Sequence, residues 1–309
     1  MKKVIVTGGA GFIGSNLVQA YKSNGFEVII IDNLTTGKID NIPNDVTFYD
    51  MDIRSPQFIE VVLKEKPDII NHHAAQIDVQ FSIQNPIEDA SINILGTINV
   101  LESLKHLKEE KDAVLVYSSS AAIYGNPNYL GVDEEHSTIP ISFYGVSKLS
   151  PEMYIKNYHD LYDIPYSIFR YANVYGIGQD PKGEGGVISI LVDRIVTNSV
   201  FTVYGDGKQT RDFIFVDDIV HANLLASEHP INDTCNISTN IPTTLHELIE
   251  TAEKVIEQKI ELEYEEERPG DIKYSYLTCE KAEKLLNWTP QYSLFNGLEK
   301  TINYYKNKS

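Results

Sequence analysis

The chain has 309 residues, a formal net charge of -18 and a pI near 4.8. A field of that sign repels polyanions and argues against nucleic acid or an anionic membrane as partner, so a phosphate-bearing ligand would need arginines placed locally. Length and composition exclude fibrous and disordered classes and allow one large domain, or a large and a small one, with an ample core.

The apolar run in MKKVIVTGG stops after three residues, too short for an export signal, and no window approaches a membrane span. The strands expected next along the chain are VIVTG, EVIIID, DIINHHAA, AVLVYSSS and SIFRYANV, short Val- and Ile-rich runs of the kind buried on both faces of a parallel sheet. Between them FIGSNLVQAYKSNG, SPQFIEVVLKEK and INILGTINVLESLKHLKEE place apolar residues three and four apart, as helices do. Alternation of this kind predicts an α/β fold, a Rossmann-type doubly wound parallel sheet over residues 1–175. From 176 to 309 Gly-rich loops, short Tyr-containing strands and helical stretches around 244–257 and 279–286 predict a smaller α/β substrate domain. The strand-helix pattern at about 212–230 is expected to return to the first domain. Cys235 and Cys279 have no His or Cys neighbour at metal-ligand spacing, which implies reduced thiols, a cytoplasmic protein and no metal.

TGGAGFIG follows the first strand directly and opens a helix, setting Gly8, Gly11 and Gly14 at three-residue spacing. Glycines there let the backbone approach a pyrophosphate, and the helix N-terminus supplies unpaired N–H groups and partial positive charge. Asp32 ends the second strand, where an acid can bind both ribose hydroxyls of an adenosine; with no arginine immediately after it, NAD is favoured over NADP. Asp52 and Ile53, after the third strand, are candidates to flank the adenine.

Tyr144 and Lys148 lie four residues apart in SFYGVSK and project from one face of a helix. Alone, that spacing fits a core tyrosine and a solvated lysine. A phenol titrates near 10 and needs a fixed cation beside it to act as a base near neutrality. Ser118, Ser119 and Ser120 end the preceding strand and are expected to reach the same crevice, where a serine hydroxyl can position the proton that Tyr144 moves. Arg211 and Arg268 sit in polar loops of the second region, where a guanidinium fork suits a diphosphate.

Together these motifs resemble the extended short-chain dehydrogenase/reductase family, and within it the nucleotide-sugar epimerases, most closely the UDP-glucose 4-epimerase type. The likeness runs nearly end to end, through TGGAGFIG, HHAAQ, NILGTINVLE, SSSAAIYG, YGVSK, RYANVYG, GEGGVISIL, YGDGKQTRDFIFVDD, RPGD and LNWTP. It implies that Ser120 and Tyr144 do proton chemistry while Lys148 supports Tyr144. NAD would be held by Gly8, Gly11, Phe12, Ile13, Gly14, Asp32, Asn33, Asp52, Ile53, Ala74, Ala75, Asn93, Ser118, Tyr144, Lys148 and Tyr171. A UDP-sugar would be held by Ser120, Tyr144, Asn173, Val187, Tyr204, Arg211, Arg268, Asp271 and Ser275.

Similar sugar dehydratases carry an Asp-Glu pair just after the catalytic hydroxyl residue, where this chain has Ala121 and Ala122, so epimerisation by transient oxidation at C4 is the expected reaction. A UDP-glucuronate epimerase or decarboxylase remains an alternative that needs a cation aimed at the C6 carboxylate. A non-catalytic NAD-binding regulator would have no use for Ser120, Tyr144 and Lys148 together. In similar epimerases the place of Ser275 is small where N-acetyl sugars are accepted. Ile77 stands where some have a lysine near the pyrophosphate, so that contact does not transfer. Pro151 predicts a kink in the catalytic helix. Leu101, Leu104, Tyr154, Tyr158 and Leu161 form apolar stripes that in similar proteins build a homodimeric four-helix bundle.

Overall fold

A computed structural model describes residues 1–181, 186–267 and 272–308. In chain order the first half runs β1 (Lys3–Thr7), α1 (Phe12–Ser23), β2 (Glu27–Asp32), β3 (Thr47–Asp50), α2 (Gln57–Glu65), β4 (Ile69–His72), α3 (Val79–Gln84) and α4 (Pro86–Ala90). It continues with α5 (Gly96–Leu107), β5 (Val114–Ser120), α6 (Phe143–Tyr162), β6 (Tyr166–Tyr171) and β7 (Asn173–Tyr175). The second half holds α7 (Val187–Thr197), β8 (Phe201–Tyr204), β9 (Thr210–Arg211), β10 (Phe213–Phe215), α8 (Val216–Glu228) and β11 (Asp233–Ile237). Then come β12 (Thr243–Thr244), α9 (Leu245–Ile256), β13 (Leu262–Glu265), α10 (Glu280–Leu286) and α11 (Leu294–Lys308).

Seven parallel strands form the main sheet in the order β11-β6-β5-β4-β1-β2-β3. The order reverses between β1 and β4, which opens a crevice at the carboxyl edge where such sheets bind ligands. One face is covered by α1, α8 and α10 over Val6, Leu17, Tyr21, Val116 and Phe169; the other by α2, α5 and α6 over Ile5, Ile70, Leu101 and Leu115. A third core gathers α7, α9 and α11 around Leu191, Phe201, Leu248 and Leu298, and Phe12 of α1 reaches into it.

The short strand β10 pairs with β7 rather than with the main sheet, while α8 packs on α1 and β11 lies beside β6. The chain therefore re-enters the sheet as late as residue 237. Leu101 and Leu104 are buried in the core beneath α5, which removes them from the expected dimer surface; Tyr158 is partly buried, its hydroxyl on Glu102, whereas Tyr154 is 42% and Leu161 71% exposed. The helix α6 runs through Pro151 without interruption from Phe143 to Tyr162. Trp288 of LNWTP is fully buried and donates its indole N–H to the Asp218 carbonyl (3.1 Å), so this motif anchors the C-terminal region on α8.

What holds α6 against the sheet is a buried ion pair. Glu152 meets Arg170 of β6 through two bonds, 3.1 and 2.7 Å, and receives the Ser119 hydroxyl at 2.5 Å. Arg170 also donates to Tyr124 (2.9 Å), which donates to Asn236 of β11 (2.7 Å). Ser119 therefore faces this network and is not in the crevice where the strand-end serines were expected. Glu152→Gln would leave the guanidinium buried without a counter-charge, at a cost of about 3–5 kcal/mol. The expected readout is a lower urea midpoint with an unchanged m-value, and a loss under about 1 kcal/mol would show that water reaches the pair.

Candidate active site

The phosphate-binding turn is built by exclusion of side chains. Gly8 takes φ +71°, and a Cβ on it would stand 2.7 Å from the Ala74 amide nitrogen; one on Gly14 would overlap the Gly8 carbonyl oxygen. Gly11 begins α1 with no side-chain cap, and the first intrahelical bond is Ser15 N–H to Gly11 O. The N–H groups of Phe12, Ile13 and Gly14 thus have no helical acceptor and suit an anion. Both Phe12 and Ile13 pack their side chains into the protein, so their contribution is main-chain.

Asp32 is buried and accepts from Ala10 N–H (2.9 Å) and Leu34 N–H (2.8 Å), which locks the acid to the turn. Asn33 donates to Asp52 (3.1 Å), whose carboxylate is forked by Arg54 at 2.7 and 2.9 Å; the guanidinium holds the Asp52 carboxyl below its ordinary value. Ile53 is buried against Gly96, and its carbonyl accepts from Asn99 (2.6 Å). Of the two adenine candidates, only Asp52 therefore keeps an appreciably exposed side chain.

The end of β4 is fixed by His72. Thr97 donates to the Asn93 carbonyl (2.6 Å), so its oxygen accepts from His72 Nε2 (3.0 Å), and Nδ1 accepts from Thr7 Oγ1 (2.7 Å). Thr7 in turn receives the N–H groups of His73 and Ala74, each at 3.2 Å. This assignment makes His72 neutral, and burial followed by the Lys148 charge pushes it down to about 3. His73 bonds Tyr171 (3.2 Å), while its Nδ1 is buried with no hydrogen-bond partner among the described residues. Asn93 occupies a π-helical turn, Ser91–Leu95, between α4 and α5. Its amide accepts from Gln76 N–H (2.8 Å) and donates to Gln76 O and Ser147 Oγ, both at 2.9 Å, which braces the loop carrying Ala74 and Ala75 against α6.

Tyr144 lies in the first turn of α6, its N–H bonded to Ser82 Oγ of α3 (3.1 Å), while Ser142 caps the helix through Gly145 N–H (3.1 Å). A Cβ on Gly145 would stand 2.6 Å from the Ala122 carbonyl, so glycine here lets the helix start abut the turn that follows Ser120. Ser120 Oγ accepts from Ala122 N–H (3.1 Å). Ser118 and Ser120 alternate with Ser119 along β5 and share one face.

Lys148, one turn on, is only 3% exposed, with its Nζ 4.8 Å from the centre of the Tyr117 ring. The solvated lysine that the bare spacing allowed is thereby excluded. Burial brings the ammonium down to about 7, and the charges of Glu152 and Asp89 act against that fall.

On the second half, Asn173 donates to the Asp212 carbonyl (3.1 Å), Arg211 lies beside it on β9, and Ser275 N–H bonds Thr210 O (3.3 Å). Tyr204 ends β8 and lines a small cavity with Gln209, Glu267 and Lys273. Val187 begins α7. Arg268 and Asp271 lie outside the described residues. Gln76, Ser82, Asp89, Gly145 and Glu152 went unnoticed in the sequence. Their only signal there was proximity to recognised motifs.

The model of the family described as GDP-mannose 4,6 dehydratase matches residues 5–301. The chain belongs to this family of extended short-chain dehydrogenases/reductases. A protein of Methanocaldococcus jannaschii named as a putative UDP-glucose 4-epimerase is 44% identical over 99% of each chain. The crystal structure of Thermotoga maritima UDP-glucose 4-epimerase with UDP-glucose matches with a TM-score of 0.95 at 37% identity, covering 99% of each chain. The Thermus thermophilus UDP-glucose 4-epimerase complex with NAD gives 0.92 at 33% identity, over 99% of this chain and 100% of that one. NAD fits the family member described here. The uncapped N–H groups of Phe12, Ile13 and Gly14, the buried Asp32 and the His73 Nδ1 without a partner among the described residues all stand at one sheet edge.

The Lys148 titration has a definite sign. Unfolded, a lysine holds its proton to about 10.5; folded, this one holds it to about 7, so between those values the unfolded chain binds more protons and stability rises with pH. Urea titrations of the NAD-free protein should show wild type gaining on Lys148→Met from pH 7 to 10. A constant difference would mean that burial does not discharge the lysine.

Proposed function

We propose that this chain is an NAD-dependent 4-epimerase of UDP-hexoses, taking UDP-glucose and UDP-galactose and, through the small Ser275, their N-acetyl counterparts. The observation that carries the reading is Tyr144 and Lys148 at the start of α6, held against the Ser120 turn by Gly145, with alanines at 121 and 122. Expulsion of water or of a carboxyl group calls for a further acid or cation, whereas reversible oxidation at one carbon needs a single proton acceptor and donor. Bound NAD would supply the two-electron chemistry at the sugar carbon. Gly8, Gly11 and Gly14 with the α1 amides would take the pyrophosphate, Asp32 the adenosine ribose, and Lys148 with Ser118 the nicotinamide end.

Tyr144 would remove and return the sugar hydroxyl proton, Ser120 would orient it, and the Lys148 charge would favour the phenolate. Asn173, Val187, Tyr204 and Arg211 support the nucleotide side, with Arg268 and Asp271 completing it. Purified protein, without added cofactor, should interconvert UDP-glucose and UDP-galactose. Tyr144→Phe should lower turnover about 10²–10⁴-fold, and near-normal turnover would refute the assignment. Ser275→Tyr should abolish only the N-acetyl activity; an equal loss on both sugars would refute the breadth.

A homodimer in the cytoplasm completes the proposal. The exposed Leu95, Met153, Tyr154 and Leu161 on the α5 and α6 side support association, and the two buried thiols support a reducing compartment. Among the described residues no helix is long and apolar enough to cross a membrane. Sedimentation should give a dimer that Leu161→Asp with Met153→Arg converts to monomer; a wild-type monomer at micromolar concentration would rule it out.

A further inference from the structure

Among the described residues, the buried carboxylate, ammonium and guanidinium groups around α6 are those of Glu152, Asp89, Lys148 and Arg170. Glu152 gives both carboxylate oxygens to Arg170, so those two charges cancel. Lys148 is left as a buried cation, and a buried cation requires a counter-charge. The carboxylates whose charges act on it are Glu152, already shared with Arg170, and Asp89 on α4, which packs against α6.

Asp89 of α4 is 1% exposed, and its hydrogen-bond partners among the described residues are neutral: Gln76 Nε2 at 2.9 Å and Asn93 Nδ2 at 3.3 Å, both on Oδ1, together with the Ser147 hydroxyl. Oδ2 is buried with no hydrogen-bond partner among the described residues. A protonated carboxyl would bury an O–H donor there without an acceptor, whereas the anion is served by the donors at Oδ1. Of the other groups facing Lys148, Glu152 also raises its proton affinity, but both of its carboxylate oxygens are committed to Arg170, and the rest carry no compensating charge. Tyr117 of β5 offers its ring, Tyr144 lies on α6 itself, and His72 and His73 are held neutral.

We propose that Asp89 is the counter-ion of Lys148, a positioning residue that keeps the ammonium charged in its dry site and thereby sustains the Tyr144–Lys148 pair. Burial raises the Asp89 carboxyl above its ordinary value, and the Ser147 bond, the Lys148 charge and the Gln76 bond lower it, as mutual stabilisation of two buried opposite charges requires. The catalytic consequence rests on the epimerase reading above; the charge pairing does not.

The test is a double-mutant cycle on the purified protein, read as unfolding in urea at pH 6, where Lys148 is charged. Asp89→Asn with Lys148→Met should lose less stability than the two single losses combined, by about tenfold or more in the unfolding equilibrium constant. The coupling should shrink by pH 9. Additive losses at pH 6 overturn the pairing. If a single variant fails to fold, recovery of folded protein in the double variant supports it, and a double variant that also fails overturns it.

In the activity arm, Asp89→Asn should move the alkaline limb of the kcat profile about one pH unit or more downward, with Asp89→Glu restoring part of the shift. A lower melting temperature with an unmoved limb would show a merely structural role. Absence of conversion of any UDP-sugar by wild type would sink the epimerase reading and leave the cycle to decide the pairing.

Discussion

The buried Glu152–Arg170 pair is the constraint on which the rest of the site depends. It ties the middle of α6 to β5 through Ser119, to β6 through Arg170, and by way of Tyr124 to Asn236 on β11. Pro151, just before it, removes one helical N–H, so side-chain bonds take over part of the work of positioning the helix. With the middle of α6 fixed, its first turn is fixed as well, and Tyr144 is delivered to the edge where Ser120 ends β5. A lone ion pair in a core is weak evidence for stability, but here it sets which strands the helix crosses.

That delivery has an electrostatic side. Lys148 is carried into a site walled by the Tyr117 ring, neutral histidines and the π-helical turn holding Asn93. Lys148, Tyr117 and His72 are all buried, so a charge there acts on its neighbours through a low effective dielectric. Insertion of one residue into a helical turn often marks a functional position, and here it points the Asn93 amide at Gln76 and Ser147 at once.

Much of this was legible in the sequence because it depends on local rules. The glycine spacing after β1, the acid closing β2 and the four-residue Tyr–Lys interval are constraints on neighbouring atoms, and all take the positions that the pattern implies. Less visible was everything set by distant packing. Leu101 and Leu104 show the same apolar stripe whether they face a core or a partner, and only the position of α2 makes them core. Ser119 is indistinguishable from Ser118 and Ser120 until the pleat assigns it to Glu152. The helices α7 and α11 were not expected although both are amphipathic; α7 follows the Gly-rich stretch 176–186, which reads as loop. Ile53 sits in the expected segment but belongs to the core, since Gly96 leaves room for it.

The return of the chain to the sheet through α8 and β11 bears on how such a protein can be divided. A cut near residue 176 would strip β6 of its outer neighbour and uncover the α1 face, leaving a bare strand edge and exposed apolar surface prone to self-association. The remainder would carry a strand with no sheet to join. The two halves are therefore not interchangeable cassettes, and new specificities in this architecture are more accessible through the loops than through exchange of halves.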